Sequence, residues 1–204
     1  MRHAAIWLAA LAFGLGGCAG PPPPPAGPTD QLRIVSLNPC SDAILAEIAP
    51  GKLVAVSHYS HDPSAGSMPV DRARRWPSTG GSVEEILAMD ADMVVASTFL
   101  PPATRSALDK LDIPVVTLGM ENTVAGSLGQ VRKLAVEVGE AQGGEALARR
   151  TEAAIARAAP GEGGASPTTI LWQPGGIVPG EGALVVDLMR RLGLRPASAT
   201  RGLG

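Results

Sequence analysis

Along residues 32–138, short apolar runs rich in β-branched residues alternate with longer stretches of helical period. The runs at 33–37 (RIVSL), Leu53–Ser57 (LVAVS), 92–96 (DMVVA) and 113–118 (IPVVTL) read as buried strands. Between them, 41–48, 82–89, 101–111 and 123–138 read as helices. The last of these puts Val124, Leu128, Val131, Leu134 and Val138 on one face. Helix 101–111 opens on prolines, where the missing N–H costs nothing. The polar, Pro-containing stretch 58–81 reads as a connection. Alternation of this kind implies a parallel sheet with right-handed crossovers.

The segment 145–159 (EALARRTEAAIARAA) breaks that rhythm. It is Ala-rich, has no interior Gly or Pro, and has high helix propensity. Gly143 and Gly144 precede it, Pro160 closes it, and Glu145 stands four before Arg149. Its apolar stripe is narrow, chiefly Leu147 and Ile155, as for a helix lying along a surface. Its length is about 22 Å. Afterwards the pattern restarts with a strand at 169–172, a Gly/Pro loop at 173–182 and a helix at 183–192. One βα unit cannot cover its own sheet face. The expected fold is therefore α/β: two doubly wound parallel-sheet lobes joined by one long rigid helix, the second lobe incomplete in this chain. The expected boundaries are 32–140, 141–160 and 167–204. The alternative is a helix-capped single domain with the last unit as an appendage.

The N-terminus adds an address. Arg2 and the apolar run 4–15 are too short for a stable span and read as an export signal over 1–17. Leu15-Gly16-Gly17-Cys18 resembles the lipobox of bacterial lipoproteins, which implies lipidation at Cys18 and a membrane anchor. A plain secretory peptide with an incidental Cys is the alternative. Residues 18–31 read as a tether, with Pro21 to Pro25 forming a polyproline spacer of about 15 Å. The expected location is the periplasm or cell envelope. With Cys18 acylated, Cys40 is the other cysteine, and no disulfide is expected. Apolar residues make up 45 % and aromatics 3 %, so the core is built from Ala, Val, Leu and Ile. Net charge is −2 with no Lys/Arg cluster along a helix face, which argues against a nucleic-acid partner.

Read in order, RIVSLNPC, LVAVS, GGSVEEILAMDADMVVAS, IPVVTL, the long helix and ILWQPGG resemble one family. It is the substrate-binding proteins of ABC importers for cobalamin and ferric siderophores, the type with a long helix between its lobes. The resemblance covers about residues 32–194, and 82–96 is its most specific piece. Ala91-Asp92-Met93 stands where that family has Pro-Asp. The resemblance implies a monomeric, non-catalytic receptor with no intrinsic cofactor. Such a receptor captures a metal chelate (a ferric siderophore, a corrinoid or haem) between two lobes and delivers it to an inner-membrane ABC permease. Ser82 and Glu85 have capping-box spacing, which gives Glu85 a structural duty. Glu84 has none, and the resemblance implies that it docks on an Arg of the permease. The alternative is a carboxylate that only complements the helix dipole.

Ligands of open parallel sheets bind beyond the carboxyl ends of the strands. The loops there hold Asn38 and Cys40, then His58, Tyr59 and His61, then Thr98 and Phe99, a fourth at 118–121, and Gln173 after the long helix. Cys40 lies near a helix start that favours thiolate, although a buried, inert Cys is the preferred reading. His58 and His61 are too few for a closed metal site and read as cleft-lining hydrogen bonders or as loop residues without a role. Trp76 and Trp172 are flat apolar rings suited to a planar chelate, with core packing as the alternative. Arg72, Arg74 and Arg75 either meet an anionic siderophore or form a solvated loop. The glycines of 173–182 make turns or bring N–H groups to the ligand. No nucleotide-binding loop and no Gly-x-Ser-x-Gly elbow is present, so an enzyme is not expected. A free zinc or manganese receptor is the second reading, relying on His58, His61 and Asp62. An exported enzyme or scaffold lipoprotein is the third.

Overall fold

Strands β1 (Ile34–Ser36), β2 (Leu53–Ser57), β3 (Ser78–Thr79), β4 (Met93–Ser97) and β5 (Val115–Leu118) form one sheet in the order β3-β2-β1-β4-β5. All four pairings are parallel. The computed structural model describes residues 31–161 and 163–201, so the expected export signal, Cys18 and the Pro-rich tether lie outside the described residues. The strand order reverses between β1 and β4, making that carboxyl edge the natural crevice of the sheet.

Both faces of the sheet are covered, which explains the near-continuous apolar runs. Neighbouring strand residues go to opposite sides. Ile34, Val56 and Val95 pack with Leu45, Ile48, Leu134 and Val138 under α1 (Pro39–Ile48) and α5 (Val124–Glu137). Val35, Ala55 and Val94 pack with Ile86 and Leu108 under α3 (Val83–Ala88) and α4 (Pro102–Lys110). Of the helix caps, the sequence reading named the Ser82–Glu85 box. Asn38 caps α1, Thr123 caps α5, and Ser82 with Glu85 forms the capping box of α3.

The stretch 58–81 holds more than a connection. It carries a 3-10 turn (His58–His61), the short helix α2 (Val70–Ala73) and β3, an edge strand beside β2. Two residues are too few to show a period, which is why β3 has no sequence signal.

The long helix, α6 (Ala141–Ala158), starts earlier than the Gly pair suggests: Gly143 and Gly144 lie inside it. It is 18 residues, about 27 Å. Gly144 and Ala148 are its buried positions, pressed against α5, while Leu147 packs on the core under α1. Farther along, Ile155 reaches a small cluster with Val124, Leu128 and Leu188. After α6 comes a second parallel sheet, β6 (Thr168–Thr169) with β7 (Arg195–Pro196), linked through α7 (Leu184–Arg191). The expected strand 169–172 is thus only its first residue and the one before it. α8 (Ala197–Thr200) follows β7. Among the described residues no helix is long and apolar enough to cross a membrane.

Candidate functional site

Two adjoining cavities open at the carboxyl edge of the five-stranded sheet. The first, about 310 Å³, lies between the end of β2 and the end of β4. Ser57, His58, Tyr59, Thr79 and Gly81 form one side, and Phe99 and Leu100 the other. The second, about 410 Å³, lies between the end of β4 and the start of α5. Asn38, Cys40, Thr98, Met120 and Val131 line it, and Leu184 reaches it from beyond the long helix. Ser97 and Phe99 belong to both, so the two cavities share a wall at the strand-order reversal. Each is within the range of ordinary small-molecule sites.

The rim is unusually apolar for exposed surface: Phe99 is 75 % exposed, Met120 74 % and Tyr59 52 %. The His58 and Tyr59 rings lie against each other with centroids 4.0 Å apart. His58 Nδ1 sits 3.4 Å from the Thr79 carbonyl, so its N–H points there and Nε2 is left for the cleft.

The floor of the first cavity is shaped by a relay. The Thr79 hydroxyl donates to Glu85 at 2.9 Å and accepts the Gly81 N–H at 3.0 Å. Gly81 has φ +82°, and a Cβ there would press on Leu37, so glycine is required. The hydrogen bonds from Thr79 and then Ser82 hold the Glu85 carboxyl below its ordinary range. In the second cavity, the Gln130 amide pairs with both the N–H and the C=O of Gly119, fixing the loop that carries Met120.

Beneath the first cavity lies Asp42, fully buried in the first turn of α1. Burial pushes its carboxyl up to about 6, against hydrogen bonds from its serine neighbours that favour the charged form.

Six of the sequence candidates are brought together here: Asn38, Cys40, His58, Tyr59, Thr98 and Phe99. Four are not. His61 turns away, with Nε2 at 3.3 and 3.2 Å from the Ala73 and Trp76 carbonyls, which makes that nitrogen a structural donor. Trp76 packs on the core under α1, its indole N–H directed at the Pro50 carbonyl 3.4 Å away. Trp172 is 68 % exposed and lines neither cavity, and Gln173 is bound up in its own loop with Ile177. Cys40 is exposed, not buried, because it stands on the outer side of the first turn of α1. Arg72 pairs with Glu47 at 2.6 Å, away from the cleft. Glu84 is exposed in the first turn of α3 and lines neither cavity. The sequence reading missed Gly81, Gln130 and Leu184. Gly81 was legible as a turn residue, whereas Leu184 depends on tertiary packing.

The periplasmic binding protein family matches residues 34–204. No curated protein sequence matches the chain. Solved structures of the same fold include the apo periplasmic haem-binding protein RhuT from Roseiflexus sp. RS-1, at TM-score 0.63 and 23 % identity, covering 84 % of this chain and 68 % of that one. The periplasmic haem-binding protein HutB of Vibrio cholerae aligns at TM-score 0.66 and 18 % identity over 83 % of this chain and 67 % of its own. A possible iron-binding periplasmic solute-binding protein from Staphylococcus epidermidis aligns at TM-score 0.62 and 16 % identity, covering 80 % of this chain and 66 % of that one. The chain thus spans about two thirds of the length of these structures.

Proposed function

The chain belongs to the periplasmic binding protein family, and from that premise we propose that it captures a planar metal chelate, haem before a ferric siderophore or a corrinoid, for an ABC importer. The observation that carries this reading is the ring cluster at the strand-order reversal. Tyr59, His58 and Phe99 stand exposed around one cavity mouth, with an apolar cavity beside it. Exposed rings of that kind suit a large flat ligand. The Tyr59 phenol and the free His58 Nε2 are groups of the types that ligate haem iron. The haem-binding proteins that share this fold support the same choice.

On this reading the protein is a periplasmic or envelope receptor and not an enzyme, lipidated at Cys18, monomeric, and docked on the inner-membrane permease through Glu84. Residues 32–140 and 167–204 form its lobes, and 141–160 the helix between them. A free zinc or manganese receptor is less well supported, since His58 and His61 point apart. Among the described residues no three His, Cys, Asp or Glu side chains converge.

The test is titration of the protein with hemin, cyanocobalamin, a ferric siderophore and zinc, following Trp fluorescence and, for hemin, the Soret band. Hemin is expected to bind with a shifted Soret maximum, and Tyr59→Phe or His58→Ala to change that spectrum. Quenching by zinc alone, or no response to any of the four, defeats the reading.

A further inference from the structure

The buried carboxylate under the cleft has no place in ligand contact, yet it joins the elements that carry the ligand residues. Asp42 is 0 % exposed. Its Oδ2 accepts the Ser57 N–H at 3.0 Å and the Ser60 hydroxyl at 2.6 Å. Those two residues bracket His58 and Tyr59. Oδ1 is buried with no hydrogen bond of good geometry among the described residues, although the Ser36 hydroxyl lies close enough to the carboxyl to favour its charged form. Next to Asp42 on α1, the Ser41 hydroxyl shares a 2.7 Å bond with Ser36 at the end of β1. The titratable neighbour that acts on Asp42 is His61, on the same turn as Ser60. One side chain thus ties α1, which presents Asn38 and Cys40, to the turn that presents the ring pair.

A buried carboxylate left half-satisfied is costly, and an apolar residue would fill the same space without that cost. Its cost is offset by what it fixes. A 3-10 turn of four residues has weak internal bonding and does not hold its own side chains in register. The charge-assisted bond from Ser60 and the bond from Ser57 supply that register from outside the turn.

We propose that Asp42 is a positioning residue of the cleft: it clamps the turn at Ser57 and Ser60 so that the rings of His58 and Tyr59 face the ligand as an abutting pair, tilted 37° to each other. The clamp acts through a hydrogen-bond acceptor at Oδ2 and not through packing. The ligand side of this inference rests on the chelate-binding reading above.

Three variants test it: Ser60→Ala, Asp42→Leu and Asp42→Asn. Two readouts are made on each after circular dichroism has established the fold. One is the nuclear Overhauser contact between the His58 and Tyr59 ring protons, which needs no ligand. Tyr59 is the one tyrosine in the sequence, so its signals are unambiguous. The other is hemin affinity from the Soret band. Ser60→Ala is expected to lose the ring contact and to weaken hemin binding about tenfold, the effect of one lost charge-assisted hydrogen bond. Asp42→Leu, which loses the bonds from both Ser57 and Ser60, is expected to do so at least as strongly. Asp42→Asn keeps an acceptor of the same shape and is expected to retain both. If Asp42→Leu does not fold, Ser60→Ala decides alone. Ring contact and hemin affinity unchanged in Ser60→Ala overturn the proposal. If the unmodified protein does not bind hemin, the ligand reading fails, while the ring contact still decides the role of Asp42.

Discussion

The Val124 N–H, the first amide of α5, donates to Asp187 Oδ2 at 2.8 Å, so a side chain from beyond the long helix caps a helix that precedes it. Arg191 steadies the same carboxylate at 2.9 Å. Leu188, on the same helix, packs against the cluster of Val124, Leu128 and Ala148. The second sheet's helix is thereby latched to the body of the five-stranded lobe at one point that is part polar and part apolar.

That latch has a pH signature. The bond from Val124, then Arg191, holds the Asp187 carboxyl below its ordinary range. A lowered carboxyl contributes stability above the unfolded value and loses it as pH falls through the folded value. Asp187→Ala is expected to cost about 1 kcal/mol at neutral pH, as for loss of a helix N-terminal acceptor. The difference from the unmodified protein should shrink in acid, below the ordinary Asp range. Urea unfolding across pH measures both, and deuterium exchange at the Val124 amide should quicken in the variant.

Much of the first lobe was legible because its strands are β-branched runs and its helices carry side-chain caps. Asn38, Ser82 and Thr123 each bond the amide that their spacing implies. Of the two-residue strands, β3 and β7 escaped because they are too short for any period, and β6 overlaps the expected strand only at Thr169. The site was half legible for a different reason. Topology marks the loops at strand ends but not the direction of each side chain. His58 and His61 lie three apart on one turn, yet backbone carbonyls claim the inner face of His61 and leave His58 at the cavity. Trp76 was placed by the indole N–H and the apolar surface under α1, neither of which a strand–helix count can see.

The glycine pair expected to precede the long helix, and found inside it, makes opposite predictions at its two positions. A Cβ on Gly144 would overlap the Cβ of Ala135 on α5, so α5 and α6 approach there as only glycine allows. A Cβ on Gly143 would meet Ile48 at 3.6 Å, an ordinary contact. Glycine inside a helix normally costs about 1 kcal/mol relative to alanine. Gly143→Ala is therefore expected to stabilise by up to about 1 kcal/mol. Gly144→Ala should destabilise by about 1–3 kcal/mol, as for overpacking a tight contact. Denaturant midpoints compared with unchanged slopes separate the two, and a shared sign would refute this account of the α5–α6 contact.

Asp42 carries a stability cost that its cleft role explains. A carboxyl raised to about 6 by burial favours the fold least when it is charged. Below the ordinary Asp range both folded and unfolded forms are protonated, and the cost is absent. As pH rises from there to about 6, the unfolded chain gives up its proton first and stability falls. Asp42→Asn removes that penalty. It is expected to melt higher than the unmodified protein at neutral pH, with the gap closing in acid. Calorimetry at several pH values checks this, and a variant less stable at neutral pH would contradict it.

Glu84 and Glu85 adjoin in the first turn of α3, yet their surroundings assign them different duties. Glu85 Oε2 accepts the Ser82 N–H at 3.2 Å and the Thr79 hydroxyl at 2.9 Å, so it holds the floor of the first cavity through Thr79 and Gly81. Its lowered carboxyl stabilises the fold near neutrality and stops doing so in acid below the ordinary Glu range. Glu84 is exposed in the first turn of the same helix. Glu85→Ala is therefore expected to lower the melting temperature at neutral pH and to weaken hemin binding. Glu84→Ala should leave both unchanged and act only when the permease is present. The decisive comparison is uptake of hemin by cells carrying the importer, measured beside hemin affinity of the purified variants. Impaired uptake with intact affinity assigns Glu84 to docking. Uptake equal to that of the unmodified protein leaves Glu84 a surface carboxylate that complements the helix dipole, and docking must then use another face.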